Sequence, residues 1–393
     1  MDTLILKNGN IITEDSILYG QDVKVVSGRI QGVGKFDGEG VDCTGKYISA
    51  GFIDIHTHGG YGADFMDATK EAFDDVLRFH ADNGTTTLLP TSVTASVSSI
   101  KEFIKVARSY KSTQKNYAKI FGVHLEGPYL SLKNKGAQKE DFLLDPKKDD
   151  YSFILENKDI VKTVTISPEL DEDGAMTKEL TDNGIIVCGG HDDGIYPEFI
   201  PSINKGLKHL THLYCAMSDL RFKDGKRNVG LREYGLIDDN LSAEIIADNR
   251  HIPKELARLI YKCKGKEKLV VVSDALRCAG MPEDGKLYRL GKINDQTAQL
   301  FKVSDGVAVL ADGTRYAGSI TPVHKMVKNL ISAGINLVDA FRCATCNPAD
   351  VIHAKDVGRI KNGFCADLLV LNEELEIEQI YLEGKIYKDY RSK

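Results

Sequence analysis

From Gly51 onward the chain repeats one rhythm, a short run of mostly apolar or β-branched residues followed by an amphipathic helical stretch. The runs are FIDIHTH, TTTLLPTS, KIFGVHLEGP, VKTVTISPE, GIIVCGGH, LKHLTHLY, LSAEIIAD and KLVVVSDA. Patterns such as EAFDDVLRFHADNG and PSINKGLKHL fall between them. Strands that alternate with helices favour right-handed crossovers and a parallel sheet, because no tight hairpin joins them. Eight units in about 200 to 250 residues predict an α/β fold, a closed (β/α)8 TIM barrel.

The two ends of the chain read differently. The first fifty residues (LIL, NIIT, DVKVVSGRIQGVG, KYISA) and the last forty (ADLLVLN, IEQIYLEGKIYK) are β-like and broken by turn residues such as Asn8-Gly9. The simplest closure pairs them in one small composite β-sandwich domain of residues 1–50 plus 355–393, leaving 51–354 as the barrel domain. Further β-like pieces (KLYRLGKI, AQLFKVSD, GVAVLAD) follow Ala275, before a helical stretch from about Thr321 to Ala344.

Polar residues gather at the C-terminal ends of the runs, which share one face in such a barrel. His56 and His58 end the first run, Glu126 the third, His191 the fifth, His212 the sixth and Asp274 the eighth. Strand side chains alternate with period two, so His56 and His58 point the same way. Gly59-Gly60 then lets the backbone turn without crowding what the two imidazoles hold. Two imidazoles on one strand make half of a divalent-metal site, and the remaining ligands must come from neighbouring strands. His80, His209, His324 and His353 fall in helical patterns or away from the rim and read as core or capping residues.

Composition excludes several partners. With 51 basic and 57 acidic residues the formal net charge is -6, which gives no basic field for nucleic acid. No apolar stretch approaches the roughly 18 residues a membrane span needs, and the first residues lack the basic and apolar regions of a signal peptide. The expectation is a cytoplasmic protein with no membrane or nucleic-acid partner. Eight irregularly spaced cysteines suit a reducing compartment, and the one CxxC, Cys343 to Cys346, lies in a helical pattern without a second pair.

In this order, GFIDIHTHGG, HLEGPYL, GGH, THLYCAM, IIADNRH, VVVSDA, AGS and NPAD resemble the N-acetylglucosamine-6-phosphate deacetylases of the amidohydrolase superfamily. The resemblance runs the length of the chain, and HLEGP belongs to the deacetylase branch. It implies hydrolysis of the acetamide of N-acetyl-D-glucosamine 6-phosphate to glucosamine 6-phosphate and acetate. It further implies that Glu126, His191 and His212 hold a principal metal, and that His56 and His58 hold a second, sharing Glu126. One or two ions per subunit follow, zinc first, with iron, manganese or cobalt as alternatives. By the same resemblance Asp274 is the general base and acid, and Arg227, His251 and the backbone amides at Cys215 and Ala216 bind the sugar phosphate. The working unit is a homodimer in which Arg227 and His251 reach the neighbouring subunit's substrate.

Three departures bear on substrate fit. Cys215 replaces the family's usual Asn, Asp192 and Asp193 add two carboxylates after His191, and Gln138 stands where some members carry a His that donates to substrate. The rivals are N-acetylgalactosamine-6-phosphate deacetylation, cyclic-amide hydrolysis on the same barrel, and a non-catalytic binding protein. HLEGP and the lack of a lysine after the third run weigh against the cyclic amide, and the intact ligand set with Asp274 weighs against the binding protein.

Overall fold

The computed structural model describes residues 2–113 and 116–391. Its barrel strands are Phe52–Thr57, Thr85–Ser92, Val123–Glu126, Val161–Ile166, Ile186–Gly189, His209–Leu210, Ser242–Ile245 and Leu269–Val271. They pair in parallel and in chain order, from the first with the second to the seventh with the eighth. Each coincides with one of the eight predicted runs, and residues facing outward from them, such as Ala243 and Ile245, are fully buried under the helices.

The seam between the eighth and first strands is made differently. At its upper end Asp274 N donates to His56 O at 2.9 Å, and the amides of His58 and Gly59 donate to Ala275 O at 3.0 and 2.7 Å. At its lower end both strands turn to one helical segment, Val271 N donating to Cys343 O and Ile53 N to Ala344 O. This seam also sets the role of the two glycines. A Cβ on Gly59 would lie 2.5 Å from Arg277 N, and one on Gly60 would lie 2.5 Å from the Phe79 ring. They admit the chain after the eighth strand and a helix side chain, rather than leaving room around a ligand.

Both chain ends join one sheet, in which Tyr47–Ala50 pairs antiparallel with Leu368–Leu371 and Ile48 faces Val370. Alternation explains how it sits. Leu368 and Val370 point into a separate core with Leu6, Val23 and Ile48, whereas Leu369 and Leu371 point into the main core shared with the barrel. The β-like pieces after Ala275 form a four-stranded antiparallel sheet, Tyr288–Arg289, Leu300–Ser304, Val307–Leu310 and Tyr316–Gly318. Its end is stitched to the barrel, Ser319 N donating to Asp274 O at 2.9 Å and Leu276 N to Ser319 O at 3.0 Å. Among the described residues no helix is long and apolar enough to cross a membrane.

Candidate active site

The strand ends converge as their periodicity requires. His191 Nε2 and His212 Nε2 lie 3.1 Å apart, and each is 3.0 Å from Glu126 Oε1. On the other side of the same carboxylate, His56 Nε2 is 3.5 Å from Oε1 and His58 Nε2 is 3.4 Å from Oε2. Asp274 Oδ1 closes the ring at 3.2 Å from His58 Nε2 and 3.8 Å from His56 Nε2. All six side chains are buried. Three of them sit on left-handed backbone, His191 at φ 50°, His212 at 29° and Asp274 at 44°. Left-handed geometry is uncommon for residues with a Cβ, and here it breaks the strand where the side chain must face the barrel mouth.

Each imidazole except that of His212 is fixed from behind. His58 Nδ1 donates to Thr91 O at 3.2 Å, His191 Nδ1 to Asn134 O at 2.9 Å, and His56 Nδ1 to Glu244 Oε2 at 3.0 Å. Burial alone would raise the Glu126 pKa, yet the surrounding imidazoles of His56, His191 and His212 hold it well below the usual carboxylate range. For His56, burial opposes the charged ring, and Glu126 with Glu244 outweighs it and pushes the pKa well up.

These donors fit a divalent cation. Two ring nitrogens and a carboxylate oxygen meet at one point, an arrangement of lone pairs that needs a positive centre, and His56 Nε2 is buried without a hydrogen-bond partner. Two overlapping triads, Glu126–His191–His212 and His56–His58–Glu126, each bring three ligand atoms within reach of one ion. Imidazole and carboxylate suit zinc and other first-row ions.

The cluster forms the floor of a cavity of about 380 Å³, of a size to hold a small polar molecule. His251 lines it, its Nδ1 donating to Asp248 Oδ2 at 2.8 Å and its ring 4.9 Å from that of Tyr316. Cys215 and Ala216 also line it, but the Cys215 amide is taken up by His212 O at 2.9 Å. The Ala216 amide has no partner among the described residues. Gln138 lines it too, with both amide atoms engaged: its Nε2 donates to Glu126 Oε2 at 2.5 Å and its Oε1 accepts the Thr94 amide at 2.7 Å. Arg227 is exposed on a hairpin of Arg221–Lys223 and Lys226–Asn228, outside the cavity of its own chain.

The two added carboxylates also lie outside the cavity. Asp192 is fully buried and accepts the hydroxyl and amide of Ser218, the amide at 3.1 Å. Asp193 is paired with Lys133 at 2.9 Å and Arg221 at 2.7 Å. Their placement has a local cause: just past the strand end His191 lies in a left-handed turn, and the next two side chains are directed into the protein and toward two cations.

Sequence reasoning missed Glu244, Arg232 and Arg315. Glu244 had a visible signal, an acid inside an apolar strand run. Arg232 and Arg315 are the cationic side chains of lysine or arginine type in the cavity lining, and Arg315 arrives from the four-stranded sheet, whose return over the barrel mouth no local pattern announces.

An Amidohydrolase family model matches residues 47–387. The N-acetylglucosamine-6-phosphate deacetylase of Bacillus subtilis is 29% identical over 397 residues, covering 98% of this chain and 97% of that protein. The N-acetylgalactosamine-6-phosphate deacetylase of Escherichia coli is 27% identical over 387 residues, covering 98% and 99%. Among solved structures, N-acetylglucosamine-6-phosphate deacetylase from Pasteurella multocida superposes with a TM-score of 0.89 at 27% identity, covering 99% of this chain and 100% of that one.

Proposed function

This chain belongs to the amidohydrolase family, and on that premise we propose that it hydrolyses the acetamide of N-acetyl-D-glucosamine 6-phosphate to D-glucosamine 6-phosphate and acetate. The observation that carries the reading is the pair of triads sharing Glu126, with the Asp274 carboxylate 3.2 Å from His58, on the floor of a cavity open to a small substrate. Glu126, His191 and His212 would hold the principal ion, zinc before iron, manganese or cobalt, and His56 and His58 a second. Such an ion supplies Lewis-acid polarisation of the acetyl carbonyl and lowers the pKa of water. Asp274 moves the protons: its carboxylate takes one from the attacking water and delivers it to the amide nitrogen as the C–N bond breaks. An amine leaves poorly until it is protonated, so both transfers matter. His251, held by Asp248, and the free Ala216 amide face the sugar, and Arg232 and Arg315 give the cavity positive charge. The working unit is a cytoplasmic homodimer, which would bring the exposed Arg227 to the neighbouring subunit's phosphate.

Acetate release across N-acetyl hexosamines of gluco and galacto configuration, each with and without a 6-phosphate, tests the reading. The phosphorylated gluco sugar should give the highest kcat/KM. The galactosamine-6-phosphate deacetylase named above is of nearly equal likeness, and a preference for the galacto sugar would move the assignment there. No acetate from any of them would overturn the deacetylase. Arg227→Ala should lower kcat/KM on the phosphorylated sugar by roughly 10- to 100-fold, the worth of a hydrogen bond to a charged group. On the unphosphorylated sugar it should change little, and an equal loss on both would remove Arg227 from phosphate recognition.

A further inference from the structure

Glu244 lies in the seventh barrel strand, Ser242–Ile245, with its side chain turned inward and 1% exposed. Its Oε2 accepts His56 Nδ1 at 3.0 Å and the backbone amide of His212 at 3.3 Å, and its Oε1 lies 3.1 Å from His209 Nε2. His209 is held in turn, its Nδ1 being 2.7 Å from Ser242 Oγ. One carboxylate thus joins the first, sixth and seventh strands directly beneath the cluster.

The imidazoles around Glu126 are not anchored alike. His58 and His191 rest on the neutral backbone carbonyls of Thr91 and Asn134, and His212 Nδ1 has no partner among the described residues. His56 alone rests on an anion. A proton fixed on Nδ1 leaves the lone pair on Nε2, and that atom is the one facing Glu126 and Asp274 without a hydrogen bond of its own. A carboxylate behind a ligating imidazole fixes tautomer and ring orientation and makes the ligand more basic.

We propose that Glu244 is the positioning residue for the His56–His58 half of the cluster, determining whether that half takes an ion, while the Glu126–His191–His212 half is nearly independent of it. The inference rests on the reading of the cluster as a metal site. It assigns His209 a part as well, as the group that keeps Glu244 aimed at His56. The contact of Glu244 with His212 is to the backbone and is the longest of the three, so the second triad depends on it least.

The test is Zn2+ binding to the metal-stripped parent, Glu244→Gln and Glu244→Ala, with bound zinc counted by elemental analysis against graded chelator and the metal-free proteins melted in parallel. The parent should bind two ions. Glu244→Ala should bind the first as the parent does and the second about 10- to 100-fold more weakly, the usual effect of removing such an anchor. Glu244→Gln should fall between, because its amide oxygen can still accept from His56 while its NH2 faces His209, keeping the geometry without the charge. The metal-free Gln variant should melt near the parent. Two ions at parental affinity in both variants, or loss of both ions in step with the melting temperature, would overturn the proposal, as would a parent that binds one ion only. A parent that binds none would overturn the metal reading beneath it.

Discussion

Asp274→Asn should turn over roughly 10²- to 10⁴-fold more slowly than the parent while keeping its fold, metal content and KM. The substitution is close to isosteric and removes only the ability to take a proton. The backbone of Asp274 holds the seam through His56 O and Ser319 N, and a side-chain change leaves those bonds in place. Its left-handed φ of 44° is one that Asn accepts as readily as Asp. The kcat, KM and metal content of the purified variant decide the matter together. A turnover near that of the parent would take Asp274 out of the proton transfers, and a loss of metal would make it a ligand instead.

The second large effect is expected at His191. Its Nε2 shares Glu126 Oε1 with His212, so His191→Ala takes one of three donors from the principal site and leaves two. Metal and activity should disappear together, the activity by at least ~10³-fold, since polarisation by a divalent ion is worth several kcal/mol and each 1.36 kcal/mol is a factor of ten. Alanine also tolerates the left-handed φ of 50° at this position poorly. His191→Asn, which tolerates it, separates the two causes: it should fold like the parent and still lack the ion. Full metal content with full turnover in either variant would remove His191 from the site.

The legible part of this molecule is the part that depends on neighbours in sequence. The eight runs could be read because a buried parallel strand must be apolar along its length, and the common direction of His56 and His58 because side chains two apart share a side. What escaped depends on distant segments. The glycines after His58 read as room for a ligand, whereas the groups that exclude a side chain there belong to Arg277 and Phe79. Glu244 went unread although it is an acid within an apolar strand run, because its partner His56 is 188 positions away. Arg315 reaches the cavity only because the sheet that bears it folds back over the barrel mouth, and Asp192 and Asp193 leave it only because Ser218, Lys133 and Arg221 claim them.

The seam between the first and last barrel strands bears on how the protein comes into being. His56 and His58 stand on one edge of it and Asp274 on the other, joined through the backbone by Asp274 N and Ala275 O. A ribosome releases the first edge long before the second, and the lower end of the seam waits further still, for the carbonyls of Cys343 and Ala344. A nascent chain with seven strands assembled has both imidazoles of the first strand and nothing across from them. Both candidate ligand triads draw only on the first, third, fifth and sixth strands, so their donors are present before the eighth strand arrives, whereas the Asp274 carboxylate joins them only when the seam closes. A chain halted before its eighth strand would thus carry every candidate ligand and still lack the carboxylate proposed to move the protons.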